Sequence, residues 1–528
     1  SGKHSEILGR ISVTLASDKD LSKEKGTANC YIVNKQGSYK FPLVYGNKSA
    51  NDRAESPCFV DHLGTTISFK DIEKQIKAHN PDDGVYESID ETHRKRATYT
   101  WYAVSGGSQT IRSAIVWQDV SGLITSPTIT TEAIGFTVSQ SKPGNAVLAL
   151  QGRKETIYQK NDGSTWVLDT SQGTNGYEYS EWETFWTWHI WMTDEVYPNA
   201  GTVNGVSDNQ QFLNYNAGDD HIVSIQNYDG STNTILPVNL GWVPDKDEFG
   251  YYSHREVWVK LEQTEKKDGG TAATTVVKIE QHARQPLITG TSTVYQWGRP
   301  TALPDINKKN VYMGSEFSSE TFTLKNISNT GDIIAQPTKM FRRSGDSNSW
   351  FDTTSSIPEY WAATKTVYDP CPPGFQLPDY RIFSGFSLTG ETGLAGTSLN
   401  MWQDAAEAGK GAYLYVRPNA VVVTGNTTAA TYTMNDGHDR YEQTVYMPAT
   451  GQYQGDKEAD TDMADHRSEN VKGMFWCYGF NSGESKGGQC LWIHPEWSCN
   501  GSNNKPAIGL PKTDRFSTAM PIRPTGNL

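Results

Sequence analysis

Apolar and polar positions alternate with a period of two along much of this chain. Ile11, Val13 and Leu15 are separated by Ser12 and Thr14, the pattern of a half-buried strand. Tyr31-Ile32-Val33, Tyr39-Lys40-Phe41, Thr66–Phe69, Thr98–Val104, Ala114–Trp117, Ala133–Val138 and Ala146–Leu150 continue the series, with Gly, Asn and Asp between them. Val257–Leu261 and Thr274–Ile279 bracket Lys266–Gly270, whose Asp268-Gly269 step predicts a hairpin. Helical spacing is scarce. Asp71–His79 and Asn400–Gly409 are the predicted helices, the second with Gly409 placed to stop it. Asp162–Ser180, rich in Gly, Ser, Asn and Thr, reads as a loop or linker, and Asn199–Asp220 as a polar insertion.

The pattern predicts a mainly β protein with an α+β portion. At 528 residues the chain exceeds one ordinary core, and the polar stretch before residue 181 suggests a boundary. Residues 1–180 form a β-rich, sandwich-like N-terminal module, and residues 181–528 a second domain with insertions. Just past the boundary, alternation places Trp186 and Trp188 on one strand face and His189 and Trp191 on the other. A core strand is the expectation there, with His189 a hydrogen-bonded core histidine rather than a catalyst.

Composition narrows the classes. With 16 Trp, 26 Tyr and 17 Phe the chain is too aromatic for disorder. A net charge of −13 without a long Lys/Arg run disfavours nucleic acid and anionic membranes as partners. No apolar stretch is long enough for a spanning helix. The cysteines at 30, 58, 371, 477, 490 and 499 include no C-x-x-C, which disfavours a zinc ribbon. A local bridge among Cys477, Cys490 and Cys499, and a full set of reduced buried thiols, both stand open.

The most distinctive stretch is Lys365–Pro378, KTVYDPCPPGFQLP. Pro370, Pro372 and Pro373 fix φ and withhold backbone donors, so the segment is neither helix interior nor central strand. A rigid surface corner with Cys371 at its apex is expected. In chain order it is accompanied by Trp186–Asp194 (WTWHIWMTD), Val238–Gly241 (VNLG), Tyr295–Arg299 (YQWGR), Tyr446–Gly451 (YMPATG) and Met520–Pro524 (MPIRP).

This ordered set resembles the Fibrobacter-type major paralogous domain family of gut Bacteroidetes surface proteins, with Val238 where that family usually has Arg. The resemblance covers roughly residues 180–528 and implies a C-type-lectin-like domain. Ala28–Val33 (ANCYIV), Gly37–Pro42, Gly46-Asn47 and Gly144–Leu150 are similar to a module that accompanies it. Relatives of this kind include pilus-tip and cell-adhesion subunits, so the resemblance implies a secreted, surface-displayed fimbrial adhesin. In Bacteroides-type pilins cleavage after an arginine opens a groove for a partner's strand, and Arg10 is the candidate for such a site.

The candidate ligand site is the late loop system. Trp476, Trp492 and Trp497 are placed to stack on a sugar, with His494 in the same run and Glu496 and Asn500 as oxygen donors. The lectin E-P-N, Q-P-D and W-N-D triplets are absent. Glu458, Asp460 and Asp462 lie in a run of four carboxylates within eight residues, the oxygen-rich setting that suits Ca²⁺. An EF-hand loop is not in place, and a solvated acidic loop is the alternative.

For catalysis there is no G-x-S-x-G elbow, H-E-x-x-H or Walker loop. The expectation is a non-catalytic adhesin, at a pilus tip or in a related subunit, binding a glycan or a host or bacterial surface protein. Two alternatives accompany it. One is a carbohydrate-processing enzyme or accessory glycan binder of a polysaccharide-uptake system. The other is a structural pilus subunit that joins other subunits by strand donation.

Overall fold

The computed structural model describes residues 19–21, 27–33, 36–47, 84–100, 114–119, 122–129, 133–140, 142–193, 212–213, 223–244, 255–262, 274–281, 290–303, 340–341, 349–351, 353, 357–391, 393–394, 400–402, 411–416, 421–424, 431–434, 444–454, 465–467, 473–483, 486–494 and 507–526. Arg10, the Ile11–Leu15 strand, the Asp71–His79 helix, Cys58 and Cys499 lie outside them.

Strand dominates, and the only helical element among the described residues is a 3-10 turn, Tyr380–Phe386, capped by the Asp379 carboxylate on the Arg381 N–H. The helix expected from Asn400 does not start there. Met401–Trp402 is a strand opposite Tyr413 and Leu414, and the Asn400 carbonyl accepts the Tyr415 N–H at 3.0 Å. A buried apolar strand, Gly411–Tyr415, offers those residues a ladder partner, and pairing overrides local helix preference.

Glu183–Met192 lies between Cys30–Val33, which it meets in parallel, and Gly144–Asn161, which it meets antiparallel. The strand just after residue 180 therefore completes a sheet begun by strands before it. One apolar core runs from Tyr31 and Leu148 through Trp188 to Trp297, Trp361 and Ile522, so the sequence boundary at 180/181 is not a boundary between cores.

Asp162–Ser180 is not the loop its composition suggested. Trp166–Leu168 and Tyr177–Tyr179 pair antiparallel with the outer half of Gly144–Asn161. The polar residues form the turns between them: Asp162 accepts the N–H groups of Ser164 and Thr165 at 3.0 and 2.9 Å, and Asp169 accepts that of Ser171. The hairpin expected around Lys266–Gly270 has its two strands, Arg255–Glu262 and Thr274–Gln281, with Val257 opposite Ile279.

Near the C-terminus, Gly473–Asn481, Gly487–His494 and Ala507–Asp514 form a sheet with an apolar core on each side. Met474, Trp476 and Cys490 enter one core; Phe475, Cys477, Leu491 and Ile493 enter the other. Burial on both faces explains why these strands read as unbroken apolar runs rather than as alternation.

The proline corner is buried, contrary to the surface position expected. Asp369 and Cys371 are essentially inaccessible, and the backbone groups that proline leaves without ladder partners find side chains instead. The Lys365 ammonium donates to the carbonyls of Cys371, Pro372 and Phe375 at 2.8, 2.8 and 2.6 Å. The Asp369 carboxylate accepts the N–H groups of Cys371 and Leu377. Asn29 and Asn47, from the N-terminal module, both donate to the Asp369 carbonyl. No helix among the described residues is long and apolar enough to cross a membrane.

Candidate functional site

The motif residues with the most chemical potential are locked into the scaffold. His189 sits on the central Glu183–Met192 strand, where sheet pairing and the surrounding tryptophans bury it. Asn145, on the neighbouring strand, donates its amide to the Gly241 carbonyl at 2.8 Å, which turns its oxygen toward His189 Nε2, also at 2.8 Å. His189 Nε2 therefore carries the hydrogen, and Nδ1 accepts from the Tyr295 hydroxyl at 3.1 Å. Burial pushes the imidazole down to about 3 and the Tyr295 phenol well up, so neither exchanges a proton near neutrality. Gly241 closes the network: it takes φ +71°, and a Cβ there would collide with Thr293.

The other motif cations are consumed in the same way. Arg523 spends its guanidinium on the Asn239 side chain and the carbonyls of Pro237, Leu236 and Tyr446. Arg299 donates to Gln296 at 2.7 Å and stacks 4.9 Å from the Phe341 ring centre, and burial lowers it to about 9. Gln296 joins three segments, donating to Phe341 and Ser517 carbonyls and accepting the Phe341 N–H. Cys30, Cys371, Cys477 and Cys490 are free and buried, with thiols pushed up by burial. No bridge joins Cys477 to Cys490.

The late aromatic cluster divides. Trp476 has no exposed face and donates its indole N–H to the Tyr295 carbonyl at 2.7 Å, so it is core and not a sugar platform. Trp492 is partly exposed at the core's edge, lies opposite Gly509 on the adjacent strand, and has the Lys512 ammonium 6.0 Å from its ring. His494 ends the same strand, paired with Ala507. Glu496, Trp497 and Asn500 lie outside the described residues, as do the proposed metal ligands Glu458, Asp460 and Asp462. Among the described residues no group of three or more His, Cys, Asp or Glu is gathered as a metal site.

A second constellation was not anticipated from the sequence. On the outer half of Gly144–Asn161 and the strands beside it, arginines and aromatic rings alternate in stacks. The Arg94 guanidinium lies 4.1 Å from the Tyr86 ring centre and 4.3 Å from that of Trp166. Arg96 lies 5.0 Å from Tyr86, and Arg153 lies 3.9 Å from Tyr179 and 4.7 Å from Trp182. Arg94 Nε donates to Gln159 at 2.8 Å, and the Tyr179 hydroxyl donates to Glu155 at 2.8 Å. All these side chains keep part of their surface in solvent. The signal in the sequence was the i, i+2 spacing of Arg94 and Arg96, which puts both on one strand face.

Comparison with protein-family models, curated proteins and solved structures returns no match to this chain.

Proposed function

We propose that this protein is a non-catalytic cell-surface adhesin, of the fimbrial-tip kind that its ordered motifs resemble. In this reading the C-terminal part of the chain, which shares one core with the N-terminal module, has a C-type-lectin-like fold that holds a glycan or a surface protein. The observation that carries the proposal is the state of the motif side chains. His189, Asp369, Arg299, Arg523 and Lys365 are buried and bonded to scaffold atoms, so the groups that would do acid–base or nucleophilic work build the frame. In the late sheet Trp492 keeps part of its surface in solvent with the Lys512 ammonium 6.0 Å from its ring, an aromatic and a cation placed to meet a sugar together. Weak single contacts of this kind gain strength through many copies on one cell.

A glycan array probed with the full chain, with and without chelator, tests this. Binding that falls in the Trp492→Ala variant is the expected result. Silence across host and dietary glycans would transfer the reading to a protein receptor. Turnover of any sugar substrate would overturn it.

A further inference from the structure

We propose that the sheet face bearing Arg94, Arg96 and Arg153 is a separate binding site for an acidic polysaccharide, one carrying carboxylates or sulfates along an extended chain. Strand His93–Thr100 pairs with Gly144–Asn161 from His93 opposite Lys160 to Thr100 opposite Arg153. These sixteen positions hold six Lys or Arg and one carboxylate, Glu155, in a chain whose net charge is −13. The neighbouring strands and turns return Glu87, Asp90, Asp162, Asp169 and Glu178, so these two strands supply a one-sided row of cations rather than a net reversal of charge.

The register sorts the cations. Lys95 faces Glu87 directly across the neighbouring strand, and Glu178, on the same face, accepts the Tyr158 hydroxyl, so that face is largely balanced. Arg94, Arg96 and Arg153 share the other face with Tyr86, Trp166 and Tyr179. Glu155, the only carboxylate among the paired strand residues of that face, is engaged by Tyr179.

The stacks favour recognition of an anion. Stacking engages the flat faces of a guanidinium and leaves its N–H bonds in the ring-parallel plane, where they meet carboxylate or sulfate oxygens edge-on. Held between Tyr86 and Trp166 and tied to Gln159, Arg94 has already lost most of its rotamer freedom, so little more is lost on binding. The partly exposed rings alongside offer apolar surface to sugar C–H faces.

Size selects a polymer over a small anion. Arg94 and Arg96 stand two residues apart, about 7 Å, and Arg153 is level with Thr100, so the row of cations runs for about 20 Å. That length matches several sugars of an extended chain. The face belongs to a different sheet from Trp492, so the site stands independently of the lectin-like reading.

The test measures binding of the full chain to immobilised heparin and to polygalacturonate, with dextran and double-stranded DNA as controls, across a salt series. Heparin or polygalacturonate should bind, more weakly as salt rises, and dextran should not. Polygalacturonate carries carboxylates alone and heparin carries both anions, so binding of polygalacturonate shows that carboxylate suffices. Arg94→Gln with Arg96→Gln should weaken binding about ten- to a hundredfold, the range expected for lost charge-assisted hydrogen bonds. Lys95→Gln with Lys154→Gln, on the opposite face, should change it by less than about threefold. Arg94→Lys, which keeps the charge and loses the planar fork, should weaken it measurably while the fold is retained by circular dichroism. Trp492→Ala should leave polyanion binding intact, which separates this site from the one above. No binding to either polyanion would overturn the proposal, as would equal losses from the two faces or DNA binding as tightly as polysaccharide. A double arginine variant that melts earlier yet binds unchanged would also overturn it, leaving the stacks as stiffeners only.

Discussion

The side-chain amide of Asn29 donates to the main-chain oxygen of Asp369 at 2.9 Å, across 340 residues of chain. The same amide reaches the Val367 carbonyl at 2.7 Å, while its oxygen accepts the Trp186 indole N–H at 2.8 Å. One buried side chain thus ties the N-terminal module, the tryptophan strand and the proline corner together. Asn29→Ala removes the bonds to the Val367 carbonyl and the Trp186 indole N–H and one of the two donors to the Asp369 carbonyl, Asn47 being the other, and should cost about 2 kcal/mol or more. Urea denaturation followed by tryptophan fluorescence checks this; a change under about 1 kcal/mol would show that the junction is held elsewhere.

Lys365 is the second pin of that junction. Its ammonium meets the carbonyls of Cys371 and Pro372, which lie outside any strand, and that of Phe375 at the start of a two-residue strand. Lys365→Met keeps much of the side-chain volume and removes every donor, with an expected loss of at least about 3 kcal/mol. A variant as stable as the parent would mean that water or another donor replaces the lysine.

His189 makes stability depend on pH. Burial holds it down to about 3 in the folded chain against an ordinary value of 6.5, so the unfolded chain binds the extra proton. Its contribution is complete above pH 6.5 and is lost as the pH falls from there toward 3, on the order of 5 kcal/mol over the whole range. His189→Asn should be less stable at neutral pH and should show a flatter stability profile between pH 6.5 and 4. An unchanged slope would place the proton uptake on other groups.

Four thiols should be silent in the native protein. Cys30, Cys371, Cys477 and Cys490 are buried, and burial raises each above the ordinary thiol range, so thiolate is scarce as well as inaccessible. Iodoacetamide labelling with peptide mapping should leave these four unmodified until denaturant is added. Native labelling at any of them would reveal local opening of its strand.

Trp476 and Trp492 should respond differently to truncation. Trp476→Ala removes a fully buried indole and its bond to Tyr295, and should cost about 3–5 kcal/mol. Trp492→Ala, at the partly exposed edge, should cost clearly less while weakening ligand capture. Calorimetric melting of both variants, set beside glycan binding, distinguishes core from contact surface.

What the sequence determined by itself is the local alternation and its consequences. Ala133–Val138 is a strand over the very residues that the period of two marks, and its burial alternates as the pattern requires. Trp186, Trp188 and Trp191 are core because so much aromatic surface in one strand finds no other place. Tertiary structure decided everything that depends on distant partners. The proline corner is interior because Asn29, Asn47 and Lys365 satisfy its carbonyls, and two of those lie more than 300 residues away. Trp166–Leu168 and Tyr177–Tyr179 become strands only because a long neighbour offers its edge, since so few residues cannot hold extended structure alone. Trp476 and Trp492 enter the same side of their sheet, yet one is sealed and the other is not, because the packing of the opposing layer sets depth. The arginine stacks are cross-strand contacts, and a chain read in one dimension carries the residues without the register that brings them together.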